Sequence, residues 1–399
     1  MKNMKRFCPV SLLTFAFTSL ASFELQAQET QGSFLNSVIQ AKMEGSKQDD
    51  TPAIVQASCT SCGGGLFGSS APSYSSGCST CGFPSDCGSC GSCFPGQTCT
   101  SCVGSNSFEN FFCKLHNAVC CPDPCYEPTW NATANAAFFQ DSARPVNQIR
   151  IRWDHGSNLI FPDRNSYFFA TTSSLSKLRG INYDELRLST EVGTEKFSVT
   201  VDTPYRYWTG DGDSKAGFSD IAITTKSLLL DSDLLQLSFQ MRTSIPSADP
   251  GNGLGIGLVA LEPSLLFTLR LLPDTFFQAQ LAEWVPLGVS DTAGSLLRYN
   301  FSLNQLLWQS PTCRDMQLVG TFEVNAISFQ AGKYSSIENV MGVDTVVQNN
   351  SAGSTYVSVG PGVRYQLCER MDLGFAVSLN VSHDHYAEQL YRTEFRWRY

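Results

Sequence analysis

Cysteine is the most reactive side chain this 399-residue sequence offers: thirteen of its sixteen cysteines fall between Cys59 and Cys125. C-x-x-C pairs recur there at 59/62, 78/81, 87/90, 90/93 and 99/102. Cys59-x-x-Cys62 and Cys78-x-x-Cys81 stand fifteen residues apart, a spacing at which two tight turns can close a four-thiolate zinc tetrahedron. The filling favours another outcome, because Gly63-Gly64-Gly65 and the Ser-rich stretch 69–76 offer few apolar groups to pack beside a metal. Thiols of an exported chain meet an oxidising compartment, where disulfides within or between molecules are the default. The expectation is a low-complexity, cross-linked arm with no cofactor, and the zinc site is its lesser alternative. Cys313 and Cys368 lie far outside the arm and read either as a disulfide pair or as two unrelated thiols.

His383-Asp384-His385 places two imidazoles on one face of an extended segment, the second pattern that could do chemistry. Neither a partner serine nor a third ligand accompanies it, so catalysis is not expected. A third pattern is larger. In the last nine residues Tyr391, Thr393, Phe395, Trp397 and Tyr399 alternate with Arg392, Glu394, Arg396 and Arg398. Alternate residues of a strand face opposite sides, so this strand has an aromatic face and an ionic one. The ending resembles the closing strand of bacterial outer-membrane barrels, which implies recognition of the C-terminal aromatic by the barrel-assembly machinery.

The same two-residue period holds across most of residues 146–399, in about twelve runs. Leu235, Leu237, Phe239 and Met241 interleave with Gln236, Ser238, Gln240 and Arg242; Leu297, Tyr299, Phe301 and Leu303 interleave with Arg298, Asn300, Ser302 and Asn304. Connections alternate long and short, the long ones being Asp154–Ile181, Tyr205–Gly217, Pro246–Gly255 and Ser328–Ser354, and the short ones including Gly193–Lys196, Asp231–Asp233 and Cys368–Arg370. A barrel in an outer membrane keeps short turns on one side and long loops on the other, and an even strand number returns both termini to the periplasmic side. The fold class expected is therefore all-β, an antiparallel transmembrane β-barrel over 146–399. Glu283 on the outward face, and Pro263 and Pro361 inside strands, are the places where this pattern is strained.

Register then sorts the charges. Arg150, Arg152, Arg187, Lys226, Gln240, Arg242, Arg270, Arg298, Arg364, Arg392 and Arg396 fall on the lumen side, with Asp220, Glu323 and Glu394 among the acids. Counted with Arg398, the inward cations number eleven. The acids, Glu185, Glu191, Asp202, Asp220, Glu262, Glu323, Asp372 and Glu394, number eight. Charge pairs across neighbouring strands are the simplest expectation, and the basic excess would favour anions at a constriction.

Composition sets the remaining bounds. Only 16% of residues are charged and the net charge is −9, which leaves no basic footprint for nucleic acid. Lys2, Lys5 and Arg6, an apolar run from Val10 to Phe23, and Leu25-Gln26-Ala27 read as a secretory signal over residues 1–27. Cys8 precedes the apolar run and is not placed like a lipidated cysteine. Residues 28–58 form a polar linker with one short amphipathic helix around Phe34–Met43, and 59–125 the cysteine-rich arm. Residues 126–145 are expected to form an ordered neck, stiffened upstream by Pro122 and Pro124 and helical over Ala132–Phe139.

Gly217-Phe218-Ser219-Asp220 at the start of a strand, Thr243-Ser244-Ile245-Pro246-Ser247-Ala248-Asp249 at the end of the next, and Gly253-Leu254-Gly255 carry a family resemblance. Over residues 183–399 the chain resembles the phenol-degradation (MetA-pathway) family of bacterial outer-membrane channels, departing at Pro246-Ser247-Ala248 where that family usually reads Pro-Thr-Gly. The resemblance implies an outer-membrane channel for small, often hydrophobic or aromatic, solutes and does not extend to the cysteine arm, which the even strand number puts in the periplasm. A structural envelope protein, cross-linked through its cysteines to other chains, is the alternative.

Overall fold

The structure is a computed structural model that describes residues 107–120, 131–160, 180–288, 293–312, 315–340, 342–383 and 387–399. The signal, the linker, the C-x-x-C pairs with Cys59, Cys62, Cys78 and Cys81, and also Cys313, Asp384 and His385, lie outside the described residues.

Twelve long strands close into one antiparallel ring. They are β1 (Gln148–Ile160), β2 (Gly180–Gly193), β3 (Phe197–Gly210), β5 (Ile221–Asp231), β6 (Leu235–Ile245), β7 (Val259–Leu272), β8 (Thr275–Leu287), β9 (Leu296–Gln309), β10 (Gln317–Phe329), β13 (Thr355–Cys368), β14 (Met371–Asn380) and β15 (Gln389–Arg398). Each pairs with its neighbours in sequence, and β1 pairs with β15 in unbroken register from Gln148↔Arg398 to Ser157↔Gln389. That closure leaves no barrel edge unpaired.

Two expected loops are built as hairpins. β3 runs on through an Asp211-Gly212 turn, with φ of 46° and 84°, into β4 (Asp213–Phe218). Successive positive φ values make this a primed turn, which suits the right-handed twist of a hairpin. The segment Ser328–Ser354 holds β11 (Lys333–Val340) and β12 (Val343–Asn350), a two-stranded sheet of its own. Sequence periodicity there is weak because β12 is largely exposed and the buried side chain of β11 is the polar Ser335, so neither carries an apolar face to read.

Alternation becomes burial as expected. In β6 Phe239 is 38% exposed while Gln240 is 2% exposed. Ile151, Leu186, Leu188, Val199, Leu265, Leu281, Phe301, Phe322, Leu373 and Phe375 all face outward and exposed. Aromatic groups stand at both ends of this apolar band: Trp308, Trp397 and Tyr399 at the short-turn end, Tyr205, Tyr207 and Phe218 at the other. The strained positions are absorbed by the ladder. Pro263 pairs with Met241 on one side but falls in a gap of the β7–β8 ladder; Pro361 pairs with Phe322 and falls in a gap of the β13–β14 ladder. Glu283 stays exposed on the outer face.

The arm is not wholly irregular. α1 (Ser107–Cys120) is a helix inside the cysteine-rich stretch, with Phe108 and Phe112 exposed and their rings 4.5 Å apart. Phe108, Phe111, Phe112 and Leu115 repeat at helical spacing, a signal that the surrounding cysteines obscured. Cys113 on this helix is disulfide-bonded. Cys368 carries a free thiol at the tight β13–β14 turn, opposite Met371 and past a register shift, which favours the second of its two readings, a thiol unrelated to Cys313.

Candidate functional site: a chain segment inside the barrel

Residues 131–145, expected as a neck below the barrel, run through its interior. They bond to Asp231, Ser238, Gln278, Ser302, Glu323, Arg364, Arg392 and Arg396, which lie on seven of the twelve strands. A segment that touches so many walls of a closed ring can only lie within it. It starts near Pro273, Asp274 and Glu369 at the short-turn end, reaches inward to Phe138-Phe139-Gln140-Asp141, and returns to the same end through Ser238 and Asp231 before β1 begins. The expected helix over Ala132–Phe139 reduces to one 3-10 turn, Thr133–Asn135, held by the Asn131 side chain, which accepts from the Thr133 N–H at 2.8 Å.

Its backbone explains why. Wall side chains satisfy the groups that a helix would pair internally. The Asn135 carbonyl accepts from Arg396 at 2.6 Å, Ala136 from Arg364 at 3.1 Å, Ala137 from Arg396 at 3.1 Å, Phe138 from Arg392 at 2.6 Å and Phe139 from Asn300 at 2.8 Å. Amide donors meet acceptors: the N–H groups of Phe138 and Phe139 bond the two oxygens of Glu323 at 2.7 and 3.0 Å, and the Asp141 N–H bonds Gln280 at 3.0 Å. The basic excess expected of the lumen is answered here by peptide carbonyls as well as by acids.

Two aromatic rings complete the seat. Phe138 lies under the Arg364 guanidinium at 4.3 Å and Phe139 under that of Arg392 at 4.4 Å. Gly374 and Gly362 make room for Phe138: a Cβ at Gly374 would stand 2.5 Å from its Cζ, and one at Gly362 would stand 2.7 Å from its Cε2. Glycine is required at both by close approach, not by backbone angle.

The wall behind the segment is a lattice of ion pairs. Arg364 bonds Asp372 at 2.6 Å and Glu394 at 2.9 Å, and Arg396 bonds Glu394 at 2.6 Å. Lys226 pairs with Glu191 at 3.0 Å and Arg242 with Asp202 at 3.0 Å; Arg298 pairs with Glu262. Arg187 and Arg206 share the carboxylate of Glu185. Gln240 donates to Asp141 at 3.0 Å, and Arg150 approaches the same carboxylate at 3.4 Å. Arg152 lies 3.4 Å from Asp154, which Arg392 already holds at 2.7 Å.

Two of the candidate residues sit elsewhere. Arg270 stands half-exposed at the short-turn rim, paired with the exposed Asp233 at 2.7 Å. Asp220 belongs to the opposite rim, where its oxygens accept the N–H groups of Ala248 at 3.0 Å and Ile256 at 2.6 Å. Burial raises the Asp220 carboxyl above its ordinary value, and these N–H donors only partly oppose it. With Gly255 packed against Asp220, and the Leu254 side chain against Gly217, the motif 217–220 and 246–255 forms a tether between two connections. Asp220 was sorted inward by register, but its strand begins only at Ile221, so register does not govern it. His383 lies just past β14, in the connection to β15.

Sequence reading missed Phe138, Phe139 and Asp141 altogether, because nothing in a short Ala-rich stretch announces burial. The signals were indirect, an arginine excess without matching acids and glycines at inward positions of β13 and β14. Beyond the segment's tip the lumen holds a cavity of about 160 Å³, lined by Phe138–Asp141 and by wall residues that include Arg152, Arg242, Arg298 and Tyr356.

No protein-family model matches the sequence, and no curated protein matches it. Among solved structures the chain is similar to the NanC porin at 9% identity and a TM-score of 0.39, covering 63% of this chain and 100% of that one. It is similar to an outer membrane channel from Pseudomonas putida F1 at 9% identity and a TM-score of 0.44, covering 64% and 96%. A KdgM porin in complex with disordered oligogalacturonate is similar at 8% identity and a TM-score of 0.36, covering 63% and 99%.

Proposed function

We propose that this protein is a plugged outer-membrane channel, in which a twelve-stranded barrel passes small solutes when residues 131–145 leave their seat. The observation that carries the reading is the seat itself, where wall side chains hold five consecutive carbonyls, of Asn135 to Phe139. Membrane embedding is supported by the apolar outer band with aromatics at both ends, because a Lys or Arg at mid-plane on that face would cost about 2–4 kcal/mol. Outer-membrane lipid and the barrel-assembly machinery are the partners this implies; no cofactor and no nucleic acid enter the reading. The short turns and both ends of the barrel chain share one rim, which in this reading is periplasmic and carries the cysteine-rich arm. The resemblance to phenol-degradation channels supports small hydrophobic or aromatic solutes.

The alternative is a structural envelope protein cross-linked through its cysteine-rich arm to other chains. Planar-bilayer recording separates the two. The wild-type protein is expected to conduct weakly, and a variant lacking residues 131–143 several-fold more. Silence from both variants, with release from the envelope only under reducing agents, would overturn the channel reading in favour of the structural one.

A further inference from the structure

The cavity beyond the plug contains one cation without a carboxylate of its own. Of its arginines, Arg242 holds Asp202 at 3.0 Å, Arg298 holds Glu262, Arg187 holds Glu185 at 2.5 Å, Arg150 approaches Asp141 at 3.4 Å, and Arg392 holds both oxygens of Asp154 at 2.7 Å. Arg152 has only that same Asp154, whose Oδ2 lies 3.4 Å away and is already bonded by Arg392, and its Nε makes no hydrogen bond. The residue is 8% exposed, and in the ladder it stands between Arg187 of β2 and Glu394 of β15, a carboxylate already held by Arg364 and Arg396. A buried guanidinium among cations is costly unless an anion completes it. Asn325, both of whose side-chain amide atoms also lack partners, lines another wall of the cavity. Between these polar points lie Phe139, Ile327, Tyr356 and Leu390.

We infer that this cavity binds a small organic carboxylate with an apolar body, its head group on Arg152 and its body against Phe139 and Leu390. A carboxylate suits a guanidinium because two oxygens match its N–H fork, and the apolar lining gives the remainder of the molecule a dry surface. The inference deepens the channel reading by naming its solute class, and it rests on that reading only for transport, since binding can be measured without it.

The test uses the full-length protein in detergent, with benzoate and the uncharged benzyl alcohol as probes in calorimetric titrations. Wild type is expected to bind benzoate at least about tenfold more tightly than benzyl alcohol, the scale of one charge-assisted hydrogen bond. Arg152→Gln should erase that preference, while Lys215→Gln, on the exposed β4 hairpin, should keep it. Equal affinity of wild type for the two probes, absence of benzoate binding, or full benzoate binding by Arg152→Gln would overturn the site. If Arg152→Gln does not assemble, the wild-type comparison of the two probes decides alone. Bilayer recording of the same preparations keeps the readings apart: benzoate selectivity in a protein that never conducts would sink the channel and leave the site standing.

Discussion

At the scale of single residues, neighbours in one strand live in different solvents. Phe239 stands on the apolar outer band near the middle of β6, and Gln240 points into the lumen beside Asp141. Phe239→Arg would place a guanidinium in hydrocarbon at about 2–4 kcal/mol and should block assembly into vesicles, read as loss of heat-modifiable folded protein on gels. Gln240→Arg should still assemble, because its head can reach Asp141 and the cavity. Equal yields of the two variants would reverse the assigned faces. The Phe138 niche makes a finer prediction. Gly374→Leu should evict the ring and raise conductance several-fold while the barrel stays folded, since the added side chain meets Phe138 Cζ and Cε1 first and the Arg364 guanidinium only at 3.3 Å. Wild-type conductance from that variant would show that Phe138 does not hold the plug.

Individual elements differ in what they depend on. The plug depends on the wall, because most of its bonds run between its own backbone and a side chain of a strand, with Gln140, Asp141 and Arg144 adding side-chain bonds. Its stability is therefore largely a property of the barrel's inward register, and changes to its alanines should matter less than changes to Phe138, Phe139, Gln140, Asp141 or Arg144. The β11–β12 hairpin is the opposite case, pairing only with itself. Replacing residues 333–350 by a short Gly-Ser linker should leave the unfolding free energy of the barrel unchanged within about 0.5 kcal/mol, because the hairpin pairs only with itself and, of its described side chains, only Ser335 is buried. A marked loss of folded yield would show that the hairpin braces the barrel.

The whole molecule is asymmetric along the barrel axis. All short turns, the entry of the plug and the C-terminal Tyr399 share one rim; the long connections, the Asp220 tether and the outer hairpins share the other. Cys368, a free and partly accessible thiol, marks the first rim. In intact cells a membrane-impermeant thiol reagent should leave it unlabelled, and the same reagent admitted to the periplasm should label it. Surface labelling in intact cells would invert the barrel, and would put the cysteine-rich arm outside the cell.

Period and connection length were enough to specify the barrel. A two-residue alternation fixes which side chains share a face, and one buried face leaves little freedom of register, so the twelve strands and the inward set of Arg364, Arg392, Glu394 and Arg396 could be read from the chain. The Asp211-Gly212 turn is not among these, since the segment 205–217 reads as one long loop. Three things needed the third dimension. Residues 131–145 carry no periodicity that distinguishes a neck from a plug, because their fate depends on acceptors and donors supplied by strands more than 80 positions away in sequence. The role of Asp220 depends on two loops meeting at a rim, which register inside a strand does not describe. The isolation of Arg152 is a matter of which carboxylate each arginine reaches. Alternation assigns charges to a face, but only the closed ring and the plug inside it decide how they pair.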